Sequence, residues 1–241
     1  MKPDLLDGVL RLIFPTRGLC WLCQENLEAG GELCPACRQM LAGWRERYFA
    51  CPACGRLATA KGLCPDCRRE PRPFAAARAA GPYTGLLRLA IHRLKYRGEV
   101  KLAPALARLM KSTHQEENFA VQAMVPVPIH KSRLAERGFN QAELLSRSLG
   151  RILDLPVHAQ ALVKARPTPD QVGLPRPERL RNLDGSFASG PQAGRLRGRT
   201  VLLVDDVFTT GATASCCTRV LLDAGAKEVV VLTAATGVRE V

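Results

Sequence analysis

Two stretches of the chain hold residue types that do chemistry at spacings that suit it. The first is VLLVDDVFTTGAT, residues 201–213, where a branched apolar run meets two adjacent carboxylates, Asp205 and Asp206, followed by a Thr/Gly loop. Adjacent carboxylates repel, so at the end of a core strand they mark either a solvated acidic turn or the seat of a ligand. Two neighbouring carboxylates can accept the vicinal hydroxyls of a ribose. Gly211 lets the main chain approach an anion closely, and Thr209, Thr210 and Thr213 offer hydroxyls. The loop runs through Ala212 into an expected helix N-terminus, where free amides and the helix dipole suit a phosphate. A pyrophosphate on the same sugar, held with Mg²⁺, would relieve the local negative charge. No Lys follows the glycine as in a Walker loop, and no G-x-G-x-x-G occurs.

The second stretch contains eight cysteines in four C-x2-C pairs, at positions 20, 23, 34, 37, 51, 54, 64 and 67. The segments GELCPACRQ and KGLCPDCRR are one unit repeated. Two sulfurs of a C-x2-C turn converge on one metal at about 2.3 Å, and a second turn completes a tetrahedron. Gly31, Gly55 and Gly62 flank these turns. The simplest pairing is one structural Zn²⁺ on Cys20, Cys23, Cys34 and Cys37 and a second on Cys51, Cys54, Cys64 and Cys67. A crossed pairing satisfies the same spacing. Cys216 and Cys217 are adjacent on an expected helix, which suits packing better than one metal.

Elements that would position these groups follow from periodicity. Leu86, Leu87, Ala90, Ile91 and Leu94 recur at helical spacing, and a second helix is expected over Lys101–Lys111. QAMVPVP, PVHAQALV, TVLLVD and KEVVVLTAAT read as strands; GFNQAELLSRSLGRIL and TASCCTRVLLDAG read as helices. Alternation of this kind predicts an α/β fold, a parallel sheet with flanking helices, whose ligands bind beyond the carboxyl ends of the strands. The polar stretch from Lys164 to Gly198 has almost no apolar periodicity, and residues 69–85 read as a passage between modules.

The chain has 241 residues, 46% hydrophobic content and a formal charge of +13. That length accommodates one medium domain plus a small module, and the basic balance favours anionic partners. No apolar run reaches the length of a membrane span. Leu5, Leu6, Val9, Leu10 and Ile13 fit one face of a short N-terminal helix, interrupted by Asp4 and Asp7. A signal peptide is therefore not expected, and a cytoplasmic protein is.

The 201–213 string resembles the phosphoribosyl-pyrophosphate (PRPP) motif of type I phosphoribosyltransferases. Together with RLKYRGE at 93–99, VPVPIHKSRLAERGFNQA at 125–142 and QVGLPRPERLRNLDGSF at 171–187, it resembles the ComF family, whose N-terminus carries a double zinc ribbon. The resemblance implies an N-terminal helix and double zinc ribbon over 1–70, a linker over 71–85 and a phosphoribosyltransferase-like domain over 86–241. It implies that Asp205 and Asp206 hold the ribose hydroxyls and that Thr209, Thr210, Gly211, Ala212 and Thr213 hold the 5-phosphate. The loop from Ile129 to Arg133 would bind pyrophosphate, so Lys131 and Arg133 join the two aspartates as catalytic candidates. Gln171, Arg179 and Asn182 fall in a hood. Lys95, Tyr96 and Arg97 belong to a family motif whose role the sequence does not give. Residues 137–141 are equally characteristic, although Asn140 and Gln141 would also serve as a helix cap. Two functions follow from the resemblance. One is a phosphoribosyltransferase that uses PRPP with Mg²⁺. The other is a competence factor that binds single-stranded DNA, senses PRPP and works with DNA-processing proteins. Trp21, Trp44, Tyr48 and Phe49 are the candidate base-stacking aromatics of the second.

Overall fold

The computed structural model describes residues 18–20, 22, 23, 25, 27, 33–168 and 176–239. The expected N-terminal helix, Trp21, Gly31 and Gln171 lie outside them. A four-stranded sheet organises the larger part, in the order β3 (Ala76–Ala79), β8 (Glu228–Thr236), β7 (Thr200–Phe208), β4 (Ala123–Pro126). Every neighbouring pair is parallel. Parallel strands are covered on both faces and read as continuous apolar runs, which VLLV and VVVL are.

Alternation along the strands divides the core in two. Leu202, Val204, Val230 and Leu232 pack against helices α3 (Gly85–Arg97), α4 (Leu102–Glu117) and α6 (Gln141–Leu153). Val201, Leu203, Val229 and Val231 face the other way, toward Cys217 and Leu221 of α8 (Ala212–Asp223). Helix α3 stops at Gly98, in the left-handed region at φ 65. Helix α4 runs six residues past the expected Lys111, through Ser112 to Glu117.

Four expectations are corrected. PVHAQALV is not a strand of the main sheet: it makes one parallel bridge, Val157 to Met124, then turns into β5 (Leu162–Lys164). Strand β5 pairs antiparallel with β6 (Phe187–Ser189), part of the stretch read as irregular. The loop at 129–133 ends at His130, whose Nδ1 accepts the Ser132 amide at 3.2 Å and caps the short helix α5 (Lys131–Arg137). The passage over 71–85 contributes the edge strand β3 and buries Phe74, Ala77 and Ala80. Small alanines hid that strand, because they lack the branched side chains that mark a parallel strand.

The cysteine modules are built on helices α1 (Pro35–Arg47) and α2 (Pro65–Arg69), each with Pro at its start and a ligand cysteine, Cys34 or Cys64, at its N-cap. Strands β1 (Phe49–Ala50), β2 (Leu57–Ala58) and β9 (Val238–Arg239) form a small sheet that ties the second module to the C-terminal segment. Gly55, at φ 65, lies against β3 so closely that a Cβ would stand 2.2 Å from the Ala77 carbonyl oxygen. Among the described residues no helix is long and apolar enough to cross a membrane.

Candidate functional site

Strand β4 stops opposite Val204, while β7 continues to Phe208. The carboxylates therefore lie within β7, beside the space that β4 leaves open. A pocket of about 250 Å³ occupies that space. Asp205 and Asp206 form part of its wall, with Lys95, Arg133, Arg137, Lys164 and Arg179. Five cations thus face two carboxylates, and the surplus positive charge favours a ligand with several negative charges.

The two aspartates are not equivalent, because consecutive side chains of a strand leave on opposite faces. Asp206 is 3% exposed, and its Oδ2 lies 2.5 Å from Lys95 Nζ on α3. Leaving a buried carboxylate without its counter-charge typically costs about 3–5 kcal/mol. Lys95 is thus the residue that lets Asp206 be buried. Asp205 Oδ1 accepts the Asp206 amide at 2.8 Å. Burial pushes the Asp205 carboxyl up to about 6, while Lys95 and Lys164 pull it down. Burial pushes Lys95 down to about 8, against the pull of Asp205 and assisted by Arg137 and Arg133.

Below the aspartates the chain turns through Thr209 and Thr210 into Gly211, the N-cap of α8, at φ 78. A Cβ there would meet Phe208 Cζ at 2.5 Å, so both conformation and space demand glycine. The Thr210 hydroxyl accepts the Ala212 amide at 3.4 Å. A recess of about 20 Å³ lies inside this turn, walled by Thr209, Thr210, Gly211, Ala212 and Thr213. Arg179, on α7 (Arg176–Leu183) within the expected hood, closes it by donating to the Thr209 hydroxyl at 2.7 Å.

The other expected residues divide. Arg133 reaches the pocket, whereas Lys131 is exposed at the start of α5 and is not part of the wall. Asn140 caps α6 through the Ala142 amide and donates to the Val127 carbonyl at 3.0 Å, which anchors that helix to the end of β4. Gln141 lines the pocket and accepts from Arg137 at 2.6 Å. Tyr96 lines it from a 64% exposed position, with the Arg137 guanidinium 5.5 Å from its ring centre. Arg97 and Asn182 are exposed. Lys164 donates to Thr168 at 2.8 Å beside the Phe187 ring, and nothing in its sequence surroundings marked it. The RLKYRGE motif flagged Lys95 but not its partner.

The cysteines form two separate clusters, Cys20, Cys23, Cys34 and Cys37, and Cys51, Cys54, Cys64 and Cys67. Within each, the sulfurs lie within 4.8 Å of one another, and none is in a disulfide. Cys23 to Cys34 and Cys54 to Cys64 are both 3.7 Å. A tetrahedron with metal–sulfur bonds of about 2.3 Å has edges of about 3.8 Å, so both clusters fit Zn²⁺. The sequential pairing holds and the crossed one does not.

The fold and these clusters define an α/β protein with a parallel sheet and a double zinc ribbon, and residues 9–68 match the double zinc ribbon domain family. Over 219 residues the chain is 34% identical to the DNA utilization protein YhgH of Escherichia coli strain K12, covering 88% of this chain and 94% of that one. Competence protein F of Haemophilus influenzae is 31% identical, with 87% and 93% covered. Competence protein ComFC of Bacillus subtilis is 28% identical, with 87% and 86% covered. The chain belongs to this ComF family of competence and DNA-utilisation proteins. Among solved structures, the glutamine PRPP amidotransferase of B. subtilis matches 55% of this chain and 26% of its own, at 20% identity and a TM-score of 0.39. At that level of likeness neither ligand nor chemistry transfers.

Proposed function

We propose that the pocket binds PRPP with Mg²⁺ and transfers or senses its phosphoribosyl group. The observation that carries this reading is the charge layout. A cationic pocket stands beside a carboxylate pair, and a glycine-shaped turn opens next to it at a helix N-terminus. A ribose with a phosphate at one end and a pyrophosphate at the other needs that sequence of surroundings. The amides and hydroxyls of 209–213 would cup the 5-phosphate, and Asp205 and Asp206 would accept ribose hydroxyls. Mg²⁺, when bound, neutralises part of the pyrophosphate charge, and the carboxylates present fit such a cation. Arg133 and Arg137 face the place where charge grows as the C1–oxygen bond breaks, and stabilise the leaving group. Lys131 stands outside the wall and leaves that work to them. The hood helix, held on Thr209 through Arg179, would shut out water. The expected assay outcome is pyrophosphate release from PRPP in the presence of the right acceptor, screened over nucleobases and single-stranded DNA. Release that is unchanged when Arg133 and Arg137 are both replaced by Ala contradicts the assignment.

A second reading has its own observation. Phe49 is 38% exposed, with the Lys61 ammonium 5.0 Å from its ring centre. Beside it a groove of about 250 Å³ is lined by Lys61, Arg68 and Arg239. A ring for stacking next to cations for phosphates suits single-stranded DNA, consistent with the names of the relatives. Trp44 is less available, since its indole packs beside Gly81. Binding that neither weakens with salt nor changes in Phe49→Ala defeats this reading.

A further inference from the structure

The second cysteine cluster does more than fold its own module. Two arginines run from it to the main chain of the anion loop. Arg56, inside the ribbon and 8% exposed, donates from Nε to the Thr209 carbonyl at 3.0 Å and from Nη1 to Asp66 Oδ2 at 2.8 Å. Asp66 lies between the ligands Cys64 and Cys67. Arg72 donates from Nε to Cys67 Sγ at 3.2 Å and from Nη1 to the Thr210 carbonyl at 3.4 Å. Its Nη2 is buried and has no hydrogen-bond partner among the described residues. The sulfur and the loop carbonyl are thus the acceptors that orient this guanidinium.

Successive carbonyls of the loop are therefore held from the ribbon side. Carbonyls tied back in this way leave the amides of the same peptides turned toward the recess, which is the orientation an anion needs. A zinc ion with four thiolates carries a net charge of about −2, and that charge is what Arg72 meets at Cys67. The same cluster is packed in one core with Phe208, which precedes the loop, and Ala212, which lies in it. The first cluster packs instead with Leu87 and Leu94, under α3.

We propose that the zinc site of Cys51, Cys54, Cys64 and Cys67 sets the shape of the 209–213 anion loop through Arg56 and Arg72, which act as positioning residues. The loop's role toward phosphate rests on the function proposed above; its mechanical dependence on the ribbon does not. Loss of metal from this site removes the negative charge that orients Arg72 and loosens the loop. Loss from the first site leaves that path intact.

The test uses the full chain carrying two zinc ions and reads amide hydrogen exchange of 209–213 without ligand. Arg72→Gln and the double variant Arg56→Gln/Arg72→Gln should keep both zinc ions and speed exchange of the loop by about tenfold or more, the equivalent of a lost charge-assisted hydrogen bond. Cys67→Ser should match Arg72→Gln, and Cys34→Ser should leave loop exchange at the wild-type rate. Loop exchange within about twofold of wild type in the double arginine variant overturns the proposal, as does equal acceleration by Cys34→Ser and Cys67→Ser. If Cys67→Ser fails to fold, the arginine variants decide. Calorimetry with PRPP and Mg²⁺ forms a separate arm. Wild type that binds no PRPP refutes the ligand reading alone, because the exchange arm still decides the coupling. Wild type that binds PRPP as tightly as the double variant overturns the positioning role.

Discussion

Replacing Gly211 by Ala gives two separable penalties, and the structure holds an internal control for one of them. Gly211 has φ 78, and Gly198 has φ 71, so both sit in the left-handed region. At Gly198 nothing lies within 4 Å of an added Cβ, whereas at Gly211 the Phe208 ring stands at 2.5, 3.2 and 3.3 Å. Gly198→Ala therefore measures the backbone penalty alone, about 1 kcal/mol. Gly211→Ala adds overpacking against a ring that is 4% exposed and held edge-on by Phe74 at 6.1 Å between centres. Overpacking of this kind costs about 1–3 kcal/mol, for a total of about 2–4 kcal/mol. Urea unfolding followed by circular dichroism, with zinc present, reads both. The background change Phe208→Leu gives the contact more room, so Gly211→Ala should cost less in that background than in wild type. If Gly211→Ala is no more costly than Gly198→Ala, or if Phe208→Leu gives no relief, the described loop geometry is wrong.

The Asp205 carboxyl should titrate near 6, above its ordinary value of 3.8, as read by carboxyl-carbon NMR. A raised folded-state value means that the unfolded chain releases its proton first. Wild type therefore loses stability as pH climbs from about 4 to about 6, and Asp205→Asn does not. From pH 4 to pH 7 the variant should gain on wild type, by up to about 2–3 kcal/mol. An unchanged difference in urea midpoint would show that the carboxyl is well solvated. Metal analysis should find two zinc ions per chain. A chelator strong enough to remove them should unfold the ribbon modules, since structural zinc supplies on the order of 10 kcal/mol. A chelated protein with unaltered melting temperature contradicts a structural role.

Much of the scaffold is visible in local pattern, and much of the pocket is not. Helices α3, α6 and α8 announce themselves by apolar spacing, and β7 and β8 by unbroken branched runs. Strand β3 escapes because Ala76–Ala79 carries little hydrophobic mark; its place is fixed by pairing with β8 and by the ribbon at Gly55. PVHAQALV misleads because an apolar stretch can be buried without joining a ladder: Ala161 and Leu162 face the core from a separate hairpin. The cysteine spacing states the chemistry but not which pairs combine, which only the fold decides. The carboxylate pair is legible as a pair. That its members part to opposite faces follows from strand alternation once β7 is seen to run past them. The cations come from residues 95, 133, 137, 164 and 179, on four separate elements. Lys164 and Arg72 look like any other basic residue until the fold brings one to the pocket and the other to a cysteine sulfur.

The most direct measurement is titration calorimetry of PRPP with Mg²⁺ against wild type and Asp205→Asn/Asp206→Asn, both verified as folded with two zinc ions. Wild type should give a saturable one-to-one isotherm, and the double variant should bind at least about a hundredfold more weakly, the loss of two charge-assisted hydrogen bonds. Equal affinity in the two proteins, or no binding by wild type, contradicts the assignment of this pocket.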